Sequence, residues 1–283
     1  MVKKENIILK NPINLEISAD LFYGGDSAKS RPLVIFCHGF KGFKDWGGFP
    51  YMMEKFSGAG FAAVSFNFSC NGVSKEKPTE FTKLDLFAQN THTRELDDLE
   101  IIVDHFYNSA NEYNIDKNHI AIAGHSRGGG TVILKAAFDE RVKCIVTLSA
   151  IATVDRWTEQ QKKRWREKGF IEIPNMRTKQ MMRMNKTFLD DIEQNSERLN
   201  IKKAMGRLNI PALIIHGKED LAVKYTDALE LYENSNKKLT ELYLIENTGH
   251  TFGTEHPLKG TTKAFEEVIG KSVEFLKKGL LMV

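Results

Sequence analysis

Cysteine is scarce in this chain. Cys37, Cys70 and Cys144 are an odd set of three with no metal-type spacing. Cys37 and Cys144 lie in apolar runs and read as small buried residues rather than as ligands or disulfide partners. An excess of one charge is also lacking: the net charge of +3 is too weak to point to nucleic acid. No apolar run approaches the roughly 20 residues a membrane-spanning helix needs, so no membrane span is expected. The basic start, Met1 to Asn6, is not followed by a long apolar region. No secretory leader is therefore expected, and a reducing cytoplasm is the expected compartment. Repeats and low-complexity segments are absent as well, which excludes solenoids and arrays.

What is present is an ordinary balance for a folded domain: 41% hydrophobic and 27% charged residues in a chain of 283. That length suits one α/β domain with a sizeable core and an insertion. Ile7 to Leu9 and the alternating run Ile13 to Leu21 predict a half-exposed hairpin, closed at Gly24, Gly25 and Asp26. Continuous apolar runs follow at 33–37, 61–68, 119–123, 143–149, 211–217 and 241–245, as expected of strands covered on both faces. Amphipathic helical patterns lie between them, at 49–56 and 91–106 for example, and a last helix is expected to be capped at Gly279. Strands alternating with helices predict a mostly parallel sheet. From Ile151 to Arg207 the alternation breaks. This segment shows helices, at 158–168 after a Thr158/Gln161 capping box and at 178–195, but no convincing core strand.

The stretch Gly124-His125-Ser126-Arg127-Gly128 stands between an apolar strand and a helix. That setting predicts a nucleophile elbow, a strained turn that projects the serine hydroxyl from the end of a sheet. A serine hydroxyl is a poor nucleophile at neutral pH. It needs a base, and the base needs an acid to hold its tautomer. The turn after the strand at Leu213 carries Glu219 and Asp220, and the turn after the last strand carries His250. Glu219 and Asp220 are both candidates for the acid; the shorter side chain, and the family resemblance given below, favour Asp220, and His250 is favoured over His216 and His256. His125 and His38 read as packing or loop-shaping residues, and His256 as a loop cap.

The order Ser126, Asp220, His250, with His38-Gly39-Phe40-Lys41-Gly42 after an early strand, resembles the α/β-hydrolase superfamily. In particular it is similar to lidded serine esterases of the dienelactone-hydrolase and prolyl-oligopeptidase-like branch, which includes cinnamoyl (feruloyl) esterases. The resemblance implies an eight-stranded, mostly parallel sheet with helices on both faces. It divides the chain into a first core part (1–150), an inserted helical lid (151–207) and a second core part (208–283). It also implies Ser126 as nucleophile, His250 as general base and then acid, Asp220 as orienting carboxylate, and the backbone N–H groups of Phe40 and Arg127 as the oxyanion hole. Each such donor is worth about 3 kcal/mol of barrier. The chain departs from the family in two places. Phe68 to Ser74 replaces an arginine-bearing loop. Arg127 stands where Met or Gln is common, which makes a more polar pocket the expectation.

The expected function is hydrolysis of small to medium carboxylic esters through an acyl-enzyme, with no metal or organic cofactor. A peptidase, thioesterase or acyltransferase would use the same triad. A non-catalytic ligand-binding protein on the same scaffold is the rival of another class. A dehalogenase would want Asp where Ser126 stands. A general-base histidine stops working once protonated, near pH ~6.5 for an ordinary imidazole. Trp157, Met181 and Met182 are candidate substrate-binding residues, and Met176 and Met184 share their ambiguity between pocket and lid core. The segment Ile151 to Leu208 holds fourteen Lys/Arg against eight Asp/Glu; a solvated helical surface is the preferred reading, attraction of acidic substrates the sharper one. The expected partner is a small-molecule ester, and homodimerisation is left open.

Overall fold

A computed structural model describes residues 2–24 and 29–281 of the chain. Gly25 and Asp26, expected to close the first hairpin, lie outside the described residues. The chain runs β1 (Val2–Lys10), β2 (Glu16–Gly24), β3 (Arg31–Cys37), α1 (Phe49–Gly58), β4 (Ala62–Phe66), α2 (Leu84–Ala88), α3 (His92–Asn108), β5 (Ile115–His125), α4 (Arg127–Ala136) and β6 (Val142–Leu148). It continues with α5 (Glu159–Lys168), β7 (Phe170–Pro174), β8 (Met181–Asn185), α6 (Lys186–Gln194), α7 (Ile201–Arg207), β9 (Ala212–Gly217), α8 (Thr226–Glu233), β10 (Thr240–Ile245) and α9 (Lys263–Leu281).

Eight strands form one sheet in the order β1-β2-β4-β3-β5-β6-β9-β10. β1 and β2 pair antiparallel, as do β2 and β4, and the remaining pairs are parallel. Successive side chains of a strand point to opposite faces, and β3 shows both faces filled. Leu33, Ile35 and Cys37 enter one core with Leu99, Ile102 and Val132 from α3 and α4. Val34 and Phe36 enter the other with Met52, Phe56, Val268 and Leu276 from α1 and α9. A sheet covered on both sides is what the continuous apolar runs require. Burying a side chain such as Phe36, fully shielded here, stabilises the fold by about 2–3 kcal/mol.

Parallel register brings the carboxyl ends of the central strands into line. Cys37 lies opposite Gly124, His125 opposite Leu148, Leu148 opposite Ile215, and Gly217 opposite Ile245. The loops after β3, β5, β9 and β10 therefore open at one edge of the sheet, where ligands bind in open α/β sheets.

Two local expectations are corrected. α9 does not stop at Gly279 but runs through it, because this residue packs against the sheet: a methyl group there would stand 2.9 Å from Cys144 Sγ. The segment between β6 and β9 is not all helical. α5 is closed by the expected Thr158–Gln161 capping box and ends at Gly169 in the left-handed conformation. A hairpin then follows, with Ile171 opposite Met184 and Ile173 opposite Met182. Met182 and Met184 are buried while Met181 and Arg183 are exposed, so the stretch read as the start of a helix alternates with period two. Beneath it Trp165 is fully buried, stacks on Phe188 and donates its indole N–H to the Met184 carbonyl at 3.1 Å. Asp191 of α6 accepts the Thr93 N–H at 3.1 Å, fastening the insertion to the first turn of α3. Among the described residues no helix is long and apolar enough to cross a membrane.

Candidate active site

Ser126 joins β5 to α4 with φ 58° and ψ −119°, a left-handed backbone that a non-glycine residue holds only when its surroundings force it. The forcing comes from close packing. A methyl group on Gly128 would stand 2.4 Å from the Cys37 carbonyl oxygen, so α4 approaches β3 at a distance only glycine permits. The Ser126 N–H is tied to the Leu148 carbonyl at 2.8 Å. α4 begins at Arg127, whose N–H belongs to the first turn and has no partner within the helix.

Asp220 follows β9 and is buried. Its Oδ1 accepts the N–H groups of Ala222 and Val223 at 2.8 and 2.9 Å. Its Oδ2 faces His250 Nδ1 at 2.7 Å and His216 Nε2 at 3.2 Å. Burial pushes the carboxyl up, but the hydrogen bonds from His216, His250 and Val223 outweigh it and hold the group well below the usual carboxylate range. An ionised carboxylate only accepts, so His250 Nδ1 is the donor in this contact, and Nε2 is the ring nitrogen not engaged by Asp220. His125 donates Nε2–H to the His250 carbonyl at 2.8 Å, and the two ring centres are 4.6 Å apart. Burial, then the neighbouring His250, pushes His125 down to about 3, so it stays neutral and props the loop. Glu219, the competing acid, is exposed. His216 donates to the Val223 carbonyl at 2.9 Å. His256 accepts the Gly47 N–H at 2.9 Å, a loop contact.

The loop after β3 comes against the elbow: a methyl group on Gly39 would stand 2.8 Å from Ser126 Cβ. His38 shapes this loop by donating Nδ1–H to the Gly39 carbonyl at 2.9 Å, and burial pushes it down to about 4. Phe40 follows and lines the same cavity as Ser126 and His250. Arg127 departs from expectation. Its side chain does not line the cavity but is buried, 3.3 Å from Glu95 Oε1, with its guanidinium between the rings of Phe40 (4.0 Å) and Phe188 (4.9 Å). Burial pushes the Glu95 carboxyl up, and the charge of Arg127 opposes that.

The cavity over Ser126 measures about 450 Å³ and is also lined by Trp46, Met176 and Arg177. Two larger clefts, of about 930 and 900 Å³, contain none of Ser126, Asp220 and His250. The three expected substrate-binding residues do not line the cavity. Trp157 packs edge-on against Trp165 at 5.2 Å. Met182 is buried in the insertion core, and Met181 is 54% exposed beside it. Period-two alternation sends Met182 inward and Met181 outward, and of the insertion only Asn175, Met176 and Arg177 line the cavity over Ser126. Met176, left open between pocket and lid core on the sequence, lines the cavity, whereas Lys41, Trp46 and Arg177 were not singled out as pocket residues from the sequence alone. The only signal was Pro174-Asn175, which marks a turn but not where it points. Among the described residues no group of three or more His, Cys, Asp or Glu is gathered as metal ligands.

A strained serine at the end of a parallel strand, a histidine held by a buried carboxylate, and a glycine loop against the serine are the parts of an α/β-hydrolase. A family model described as the prolyl oligopeptidase family matches residues 56–276. The chain belongs to that family. An uncharacterised 31.7 kDa protein from the traX-finO intergenic region of Escherichia coli is 34% identical over 125 residues, 44% of this chain and 39% of that protein. The match thus spans about two fifths of the length of that relative. Among solved structures, Est1E from Butyrivibrio proteoclasticus is similar with a TM-score of 0.70 and 18% identity over 98% of this chain and 99% of that one. A second Est1E structure, with ferulic acid bound, has a TM-score of 0.70 and 19% identity over 94% and 96%. A dienelactone hydrolase from Anabaena variabilis has a TM-score of 0.63 and 16% identity over 99% of both chains. At such identities the likeness is one of fold.

Proposed function

We propose that the chain is a serine hydrolase of small to medium carboxylic esters, with Ser126, His250 and Asp220 as its triad. The observation that carries this reading is the 2.7 Å contact of His250 Nδ1 with Asp220 Oδ2, which leaves Nε2 as a base in the cavity that Ser126 lines. Ser126 Oγ attacks the carbonyl carbon as Nε2 takes its proton. The resulting oxyanion accepts hydrogen bonds from the N–H groups of Phe40 and Arg127, each worth about 3 kcal/mol in such sites. The C–O bond to the alcohol breaks as His250 returns the proton to the leaving oxygen. Water, deprotonated by His250, then releases the acid and restores Ser126.

A volume of about 450 Å³ suits a small or medium ester, and the ferulic acid held by Est1E, a relative in fold, supports an aromatic acyl group. Residues 151–207 act in this reading as the lid, since Asn175, Met176 and Arg177 reach the cavity. A reducing cytoplasm suits the three buried, unpaired cysteines. Membership of the prolyl oligopeptidase family supports a second reading, cleavage of an amide bond by the same residues. A fluorophosphonate probe is expected to label the wild type and not Ser126→Ala, and a panel of nitrophenyl esters and aminoacyl amides separates the two readings. Equal labelling of both proteins would overturn the triad.

A further inference from the structure

Two cationic side chains line the cavity, Lys41 and Arg177, and no carboxylate does. Lys44, Lys135, Lys162 and Arg127, which are more deeply buried than these two, each face an acidic partner, as the cost of burying an unpaired charge requires. Lys41 instead gives its ammonium to the Pro174 carbonyl at 3.2 Å, which links the loop after β3 to the β7–β8 hairpin. The Arg177 guanidinium lies over the rings of Phe43, Phe81 and Trp46, at 5.3, 5.9 and 6.0 Å. Burial, then the like charges of Arg127 and Arg177, pushes the Lys41 ammonium below its ordinary range. The three rings shield the Arg177 guanidinium from water and lower it likewise, although the residue as a whole is exposed. An anion between them would relieve both.

The turn that carries Arg177 is tied down. Asn175 is buried and its Oδ1 accepts the Arg177 N–H at 3.2 Å. Gln180 donates to the Phe81 carbonyl at 2.9 Å. The hairpin tip is therefore held above the site while its arginine, an exposed residue, stands at the mouth. The apolar wall below, from Phe40, Trp46 and Phe49, accepts the uncharged part of a ligand. Guanidinium and ammonium at one end accept a carboxylate.

We propose that Lys41 and Arg177 form an anion-recognising end of the cavity, and that the substrate is an ester bearing a carboxylate on its acyl or its alcohol half. This rests on the esterase reading. Two matched pairs test it: p-nitrophenyl hydrogen glutarate against its methyl ester, with the anion on the acyl half, and m-carboxyphenyl butyrate against m-carbamoylphenyl butyrate, with the anion on the alcohol half. The wild type is expected to prefer the anionic member of one pair by about tenfold or more in kcat/KM. The pair that shows the preference identifies the half. That preference falls about tenfold in Arg177→Met and in Lys41→Met, is largely kept in Arg177→Lys, and shrinks as salt rises toward ~1 M, where the screening length is only about 3 Å. The salt series needs no variant, so a misfolded substitution does not mask the result. Neither pair favouring the anion, or a preference that both substitutions and salt leave within twofold, overturns the proposal. If the wild type hydrolyses none of the four esters, the esterase reading fails. Calorimetric binding of glutarate then decides the anion site by itself: loss in Arg177→Met supports it, and equal binding overturns it.

Discussion

The Arg127 guanidinium lies 4.0 Å from the centre of the Phe40 ring, so the two residues proposed to donate oxyanion N–H groups are also joined through their side chains. The clamp is anchored below by Glu95 and closed on its other side by Phe188 of the insertion. One buried cation therefore ties the elbow, the glycine loop, α3 and α6 together.

Arg127→Met is expected to destabilise the protein by about 3 kcal/mol, because Glu95 is left buried without its counter-charge. The double variant Arg127→Met with Glu95→Gln recovers most of that loss. In the single variant the deficit grows with pH. A carboxyl whose folded pKa is raised contributes stability below its unfolded value and loses it as pH rises. Urea unfolding at pH 5 and pH 8 checks both points, and an equal loss in the single and double variants would exclude the charge account.

Asp220→Asn is expected to lower kcat by about 10⁴-fold, since an amide holds the histidine in the wrong tautomer. Glu219→Gln, at the exposed neighbour, stays within twofold of wild type. Turnover of p-nitrophenyl butyrate compares the two; the opposite ranking would move the acid to Glu219.

Stability is expected to fall between pH 6.5 and 5. His38 and His125 are pushed down from 6.5 to about 4 and about 3, in both cases chiefly by burial. The unfolded chain takes up their protons first, so stability present above pH 6.5 is lost as pH falls toward the folded values. At pH 5 each contributes a loss of about 2 kcal/mol. His92, His105 and His256, also lowered chiefly by burial, act in the same direction. Asp220, held well below its ordinary range, acts only at lower pH. Urea midpoints at pH 7.5 and 5 measure the effect, and His38→Gln should remove a visible part of it; no change between these pH values would mean that these histidines charge freely in the fold.

The elbow was legible because all of its parts are adjacent in the chain: an apolar run, a serine between glycines, and a helical run. The hairpin of the insertion was not. Met181, Met182 and Met184 fit a helical face as well as a strand, and only the pairing of Ile171 and Ile173 with Met184 and Met182 selects the strand. The position of the Arg127 side chain was equally hidden, because Glu95 and Phe188 lie 32 residues before it and 61 after it in the sequence.

By itself, then, the sequence determined the alternation of strands and helices and the order Ser126, Asp220, His250, because hydrophobic period and turn chemistry act over a few residues. Only the tertiary structure decided which side chains meet. Parallel register set the ends of β3, β5, β9 and β10 side by side, and the insertion folded back over that edge. Lys41 and Arg177 reached one cavity, and Trp157, Met181 and Met182 did not, because contacts between distant segments depend on how whole elements pack.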